Sequence, residues 1–149
     1  MPTVLQRSLE RLGLELPPVP KPVASYIPAK KVGSLIYVSG QLPMKDGKLM
    51  CTGPVPSQVS LEEAEAAARQ CVLNGIAAGM SVGQVRGVVR VGVFVQSDDG
   101  FSEHPKVANG ASDLLMELLG DDGRHARAAV GTNALPLNAS VEVEFLFHE

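Results

Sequence analysis

Residues 141–147, VEVEFLF, begin as a strict alternation. In a strand, Val141, Val143 and Phe145 would share one face, and Glu142 and Glu144 the other. The run GVVRVGVFVQS, 87–97, reads as a stronger strand with Val89, Val91, Val93 and Val95 on one face. A further strand is expected over about His125–Thr132, joined through Leu135-Pro136 to a last strand, Ser140–Phe147. Upstream, SYIPAKKVGSLIYVSG predicts two strands linked through Lys30–Ser34 with Gly33 as the turn residue. Lys45-Asp46-Gly47 then marks a hairpin-like turn.

The apolar period lengthens to that of a helix in three places. Ser60 followed three residues later by Glu63 is a capping box, so a helix should start there. Its buried stripe would hold Leu61, Ala64, Ala68, Cys71, Val72 and Ile76, with Gly75 allowing close approach to a sheet. From about Pro105 to Leu119, Val107, Ala111, Leu114, Leu115 and Leu118 lie on one side, and Gly120 acts as a stop. The N-terminal MPTVLQRSLERLGLEL reads as an amphipathic helix with Val4, Leu5, Leu12 and Leu16 near one face. Prolines at 17, 18, 20 and 22 forbid its continuation and favour an extended connector.

After that helix the order is βββ-α-β-α-ββ, which predicts an α+β fold with both main helices on one face of a mixed sheet. The expected organisation is an N-terminal helix and Pro-rich connector over 1–22 and one domain over 23–149. The runs 89–95 and 141–147 are apolar on both faces, with Phe94, Phe145 and Phe147 available. Burial of the open face between copies of the chain is the natural way to cover it.

Composition narrows the class. The chain has 149 residues, enough to bury on the order of 70% of its unfolded surface in one core. With 45% hydrophobic and 19% charged residues it is not disordered. A net charge of −3, no basic run and 4% aromatics argue against a nucleic-acid binder. No apolar run reaches the length of a membrane span and no secretory signal pattern opens the chain, so a cytoplasmic protein is expected. Cys51 and Cys71 form no CxxC pair and read as free thiols. His104, His125 and His148 lack metal-ligand spacing, so no metal is expected. There is no P-loop or GxGxxG, and Gly87 and Gly92 inside a strand mark bulges or close backbone approach.

What is left is an arginine and a glutamate. Arg127 heads the small-residue run RAAVG, and Glu142 follows fifteen residues later. If the last two strands pair antiparallel around Leu135-Pro136, Arg127 and Glu142 lie nearly opposite. That arrangement suits a solvated cross-strand ion pair, worth ~0–1 kcal/mol. It equally suits an anion-binding arginine beside a half-buried glutamate. The residues alone leave both readings standing.

The spaced set Tyr26, YVSGQLP at 37–43, Asn109 and the stretch from Arg127 through Leu135-Pro136 to VEVE resembles the RidA/YjgF family of reactive-intermediate deaminases. The similarity runs from about Ser25 to Phe147; residues 1–22 are extra relative to the short members, and the chain resembles a longer-chain, chorismate-mutase-like subgroup. The resemblance implies a chorismate-mutase-like sheet with two helices, assembled as a homotrimer with clefts between subunits. It implies hydrolysis of 2-imino and enamino acids such as 2-iminopropanoate to 2-keto acids and ammonia, without metal or organic cofactor. In that scheme Arg127 would fork the substrate carboxylate and Glu142 would handle the attacking water. Tyr26, Ser39, Gly40, Asn109 and Ala129 would line the pocket.

Three positions depart from the family pattern. His125 stands where many members have proline, and Ala128 and Ala129 replace the Ser or Thr and often Cys after the arginine. The lost hydroxyl removes one possible hydrogen bond to substrate. Two other classes therefore stay open: a non-catalytic binder of small carboxylates using Arg127, and an RNA-cleaving or translation-inhibiting protein, which the acidic chain disfavours.

Overall fold

Strand β5 (Gly87–Gln96) lies inside a five-stranded sheet of order β1-β2-β7-β5-β6, whose other members are β1 (Ala29–Val32), β2 (Leu35–Gln41), β6 (Ala126–Thr132) and β7 (Val141–His148). The computed structural model describes residues 1–19, 21 and 24–149. Pro20, Pro22 and Val23, and with them the expected boundary between connector and domain, lie outside the described residues. The sheet is mixed: β5 and β6 run parallel, and the other neighbours are antiparallel. Helices α2 (Leu61–Met80) and α3 (His104–Leu119) pack together on one face of it. The expected α+β architecture is present. A separate two-stranded hairpin, β3 (Met44–Lys45) and β4 (Lys48–Leu49), turns through Asp46 and Gly47. Both turn residues have positive φ, 52° and 80°, as a two-residue hairpin loop requires.

Local sequence explains the helices. The Ser60 hydroxyl accepts from the Glu63 backbone N–H, and the Glu63 carboxylate accepts from the Ser60 backbone N–H, so the predicted capping box opens α2. Cys71, Val72 and Ile76 are fully buried beneath it. Gly75 faces Phe145, where a Cβ would collide with the ring, and at Gly79 a Cβ would collide with Val85 and press on Phe147. A second capping box, Thr3 with Gln6, opens α1 (Val4–Leu12). This helix stops before the expected Leu16 because Gly13, at φ 66°, takes the left-handed cap conformation. It packs against α3 through Leu5, and Arg11 donates to the Glu117 carbonyl. Val4, expected on the apolar face, is 52% exposed.

Three expectations about the strands are corrected. Residues 30–32, expected in the link between the first two strands, belong to β1, and only Gly33 and Ser34 turn. Val89 does not share the buried face of Val91, Val93 and Val95. A bulge between Val88 and Arg90 shifts the register, so Val88 turns inward and Val89 outward. More important, β6 and β7 are not a hairpin. Strand β5 lies between them, pairing Val91 with Arg127 on one side and Phe94 with Glu142 on the other. The α3 crossover returns the chain parallel to β5, which consumes one edge of that apolar strand. The chain can then bury the other edge only by crossing the end of β5. Gln96 holds the crossing: its buried side-chain amide donates to the Ala139 carbonyl at 2.9 Å and to Asn138 Oδ1 at 3.1 Å.

Candidate functional site

The pleat of β5 decides where the candidate residues go. Val91, Val93 and Val95 face the helices, so their register partners on β6, Arg127, Ala129 and Gly131, face the same way. Phe94 faces the open side, and so does its partner Glu142, between Val141 and Val143, which are buried beneath the helices. Arg127 and Glu142 thus belong to opposite faces of the sheet. Three register steps along β5 and one strand to either side set their backbones about 10 Å apart in each direction. The predicted opposition of the two residues is overturned, and with it the simple cross-strand ion pair.

The first cluster lies at the free edge of the sheet. Arg127 Nη1 donates to Asn109 Oδ1 at 2.9 Å and to Ser112 Oγ at 3.0 Å, both on α3. Ser112 Oγ lies 2.8 Å from His125 Nε2, and His125 Nδ1 lies 2.6 Å from the Gly123 carbonyl oxygen. Of the expected site residues, the structure joins Arg127 and Asn109 here. Ala129 sits two residues along the same strand face. Ser112 and His125 were missed as site residues. The signal for Ser112 was present: it falls one helical turn after Asn109, on the same side of α3.

The second cluster lies where β2 meets β7. The β2–β7 ladder breaks between Val38 and Gln41, and Ser39 and Gly40 occupy the irregularity. A Cβ at Gly40 would collide with the Glu142 carboxylate. Ser39 Oγ donates to the Ile27 carbonyl at 2.7 Å, tying the segment that carries the exposed Tyr26 to this end of β2. Glu142 is half-buried. Burial first, and the neighbouring Glu144 charge second, push its carboxyl pKa above the ordinary value of 4.5. Glu144 itself faces Arg90, with Nη1 at 3.7 Å from Oε1 across Gly92.

A groove of about 710 Å³ lies elsewhere, between the connector, the β3–β4 hairpin and α2, and is lined by Pro17, Lys21, Lys45 and Gln70 among others. No predicted site residue lines it. Among the described residues no group of three or more His, Cys, Asp and Glu side chains is placed to hold a metal ion. No described helix is long and apolar enough to cross a membrane.

The mixed sheet, its two covering helices and the bulged SGQ strand against a VEVE strand define a chorismate-mutase-like α+β protein. Residues 6–149 match the family model described as "YjgF/chorismate mutase-like, putative endoribonuclease", and the chain belongs to that family, RidA/YjgF. It is 42% identical over 144 residues to protein TCP17 of Trypanosoma cruzi, covering 93% of this chain and 90% of the relative. It is 31% identical over 133 residues to a 2-iminobutanoate/2-iminopropanoate deaminase of Dermatophagoides farinae, covering 88% of this chain and 91% of the relative. Among solved structures, protein Atu1372 of Agrobacterium tumefaciens, of unknown function, superposes with a TM-score of 0.86 at 41% identity, over 97% of this chain and 91% of that one.

Proposed function

We propose that the protein hydrolyses 2-imino and enamino acids to 2-keto acids and ammonia, in sites that two copies of the chain complete together. The observation that carries this reading is the separation of Arg127 and Glu142. One cluster can clamp an anion and the other can handle a proton, yet they occupy opposite faces of one sheet. A second copy can bring its Glu142 side to the Arg127 side of the first. Because the two surfaces differ, such a contact is head-to-tail, and head-to-tail contacts that close form rings. A homotrimer of this kind would also cover the apolar open face, where Tyr37 and Val130 are about half exposed. The deaminase relative supports the choice of reaction.

In such a site the Arg127 guanidinium forks the substrate carboxylate and fixes the adjoining C=N carbon. The half-buried Glu142 takes a proton from water as its oxygen bonds to that carbon, and passes that proton to the imine nitrogen. The tetrahedral carbinolamine then passes its hydroxyl proton to Glu142. The C–N bond breaks as C=O forms, and the nitrogen, protonated again by way of Glu142, leaves as ammonia. Water supplies the oxygen, and Glu142 ends the cycle as it began. Gly40 leaves the carboxylate its space, and Ser39 and Tyr26 border the entrance.

Mixing two inactive variants tests both the reaction and the sharing of sites. Arg127→Ala and Glu142→Ala should each abolish acceleration of 2-keto acid release from a dehydratase-generated imine. Unfolded and refolded together in equal amounts, they should recover about a quarter of the natural activity, since random assembly restores that fraction of Arg–Glu sites. No recovery, with each variant folded and assembled, would rule out sites shared between chains. An unaltered rate in the single variants would rule out the proposed chemistry.

A further inference from the structure

We infer that Ser112 and His125 are positioning residues that fix which edge of the Arg127 guanidinium is offered to a carboxylate. The inference rests on the carboxylate clamp proposed above and adds its orientation and the two side chains that set it. A backbone carbonyl can only accept a hydrogen bond, so the 2.6 Å contact with the Gly123 oxygen requires a proton on His125 Nδ1. Nε2 of the neutral ring is then an acceptor, and the hydroxyl 2.8 Å away on Ser112 donates to it. With its proton so directed, Ser112 Oγ turns lone pairs toward Arg127 Nη1, 3.0 Å away. The chain runs in one direction, from Arg127 through Ser112 and His125 to Gly123.

Nη1 carries two protons. One goes to Ser112 and the other to Asn109 Oδ1 at 2.9 Å, so that nitrogen is fully engaged. The three remaining N–H groups of Arg127 are on Nε and Nη2, and among the described residues no acceptor meets them. Nε–H and one Nη2–H lie parallel, the spacing that two carboxylate oxygens match. Nη1 and Nη2 form the other possible fork, but its Nη1 half is already bound. A carboxylate is therefore directed to the Nε/Nη2 edge. Asn109 alone would hold one proton and let the plane rotate; Ser112, locked by His125, removes that freedom.

The carboxylate is the same in substrate and transition state, so loosening its clamp should cost binding more than turnover. The test combines nitrogen-resolved NMR with steady-state kinetics on the full chain. His125 in the natural protein should carry its proton on Nδ1. The Arg127 Nε–H signal should be sharp there and broadened by exchange in Ser112→Ala and His125→Ala. In both variants KM for 2-iminopropanoate should rise about tenfold with kcat within about twofold. His125→Gln, whose amide oxygen can stand in for Nε2, should recover most of the affinity.

Ser112→Ala removes a single oxygen within a helix, and the tautomer is read on the natural protein, so misfolding of one variant does not obscure the result. A proton on His125 Nε2, an unchanged Arg127 signal in both variants, or an unchanged KM would overturn the inference. Expected NMR signals in a protein with no turnover would instead sink the deaminase reading and leave the positioning intact.

Discussion

Gly40 and Glu142 share one volume: a side chain at position 40 would occupy the space of the Glu142 carboxylate. Gly40 needs no left-handed backbone, so the lack of a Cβ matters for space and not for strain. Gly40→Ala should push the carboxylate aside and lower kcat at least about tenfold, because proton transfer tolerates little misplacement. The melting temperature should move little, since a half-buried side chain can swing away. Parallel rate and melting measurements check this, and a normal kcat would detach Glu142 from the chemistry.

The acid limb of kcat/KM should lie above 4.5, because burial and then Glu144 raise the Glu142 pKa above that value. Glu144→Gln removes the second cause and should move the limb toward lower pH. The sign for stability is opposite to that of an ion-paired carboxylate. A carboxyl with a raised folded pKa favours the native state when protonated, and that stability is lost as pH climbs from 4.5 through the folded pKa. Glu142→Gln should therefore gain stability relative to the natural protein above that window and not below it. Denaturant titrations at acidic and neutral pH read the difference.

Gln96→Ala should be among the more destabilising single changes. It strips the buried Ala139 carbonyl and Asn138 Oδ1 of a side-chain donor, leaving the crossing to backbone bonds such as that from the residue-96 N–H to the Ser140 carbonyl. A loss of about 1–3 kcal/mol is expected from the buried Ala139 carbonyl left without this donor. Urea unfolding measures it, and a loss below about 0.5 kcal/mol would mean the crossing is held by other contacts.

Ser60→Ala should cost about 1 kcal/mol through the broken capping box at the start of α2. Ser60 touches neither candidate cluster, so kcat and KM should be unchanged. Thermal melts and kinetics on one preparation test both halves of the claim.

Legibility in the sequence followed the range of the interactions. Ser60 with Glu63, Asp46-Gly47 and the Val141–Phe145 alternation act over a few residues, and each produced the element it announced. The order of the strands does not act at that range. Whether β6 pairs with β7 depends on which strand buries both edges of β5, a competition settled by the whole core. The Val88–Arg90 bulge is equally non-local, since it answers to the register of β7. Arg127, Asn109, Gly40 and Glu142 could be named in advance because their spacing resembles a family. Which of them meet could not, because one residue of pleat decides the face. Ser112 and His125 come together from a helix and the loop after it, so neither announced the other.

The placement of Arg127 and Glu142 on opposite faces also separates being folded from being competent. On the proposed reading a lone chain, however stable, holds only half of each of two sites. Diluted below its dissociation constant, the protein would keep its circular dichroism, melt at a lower temperature and lose specific activity. Its rate would then depend on concentration more steeply than first order, so the abundance of the chain would itself set a threshold for when the chemistry switches on.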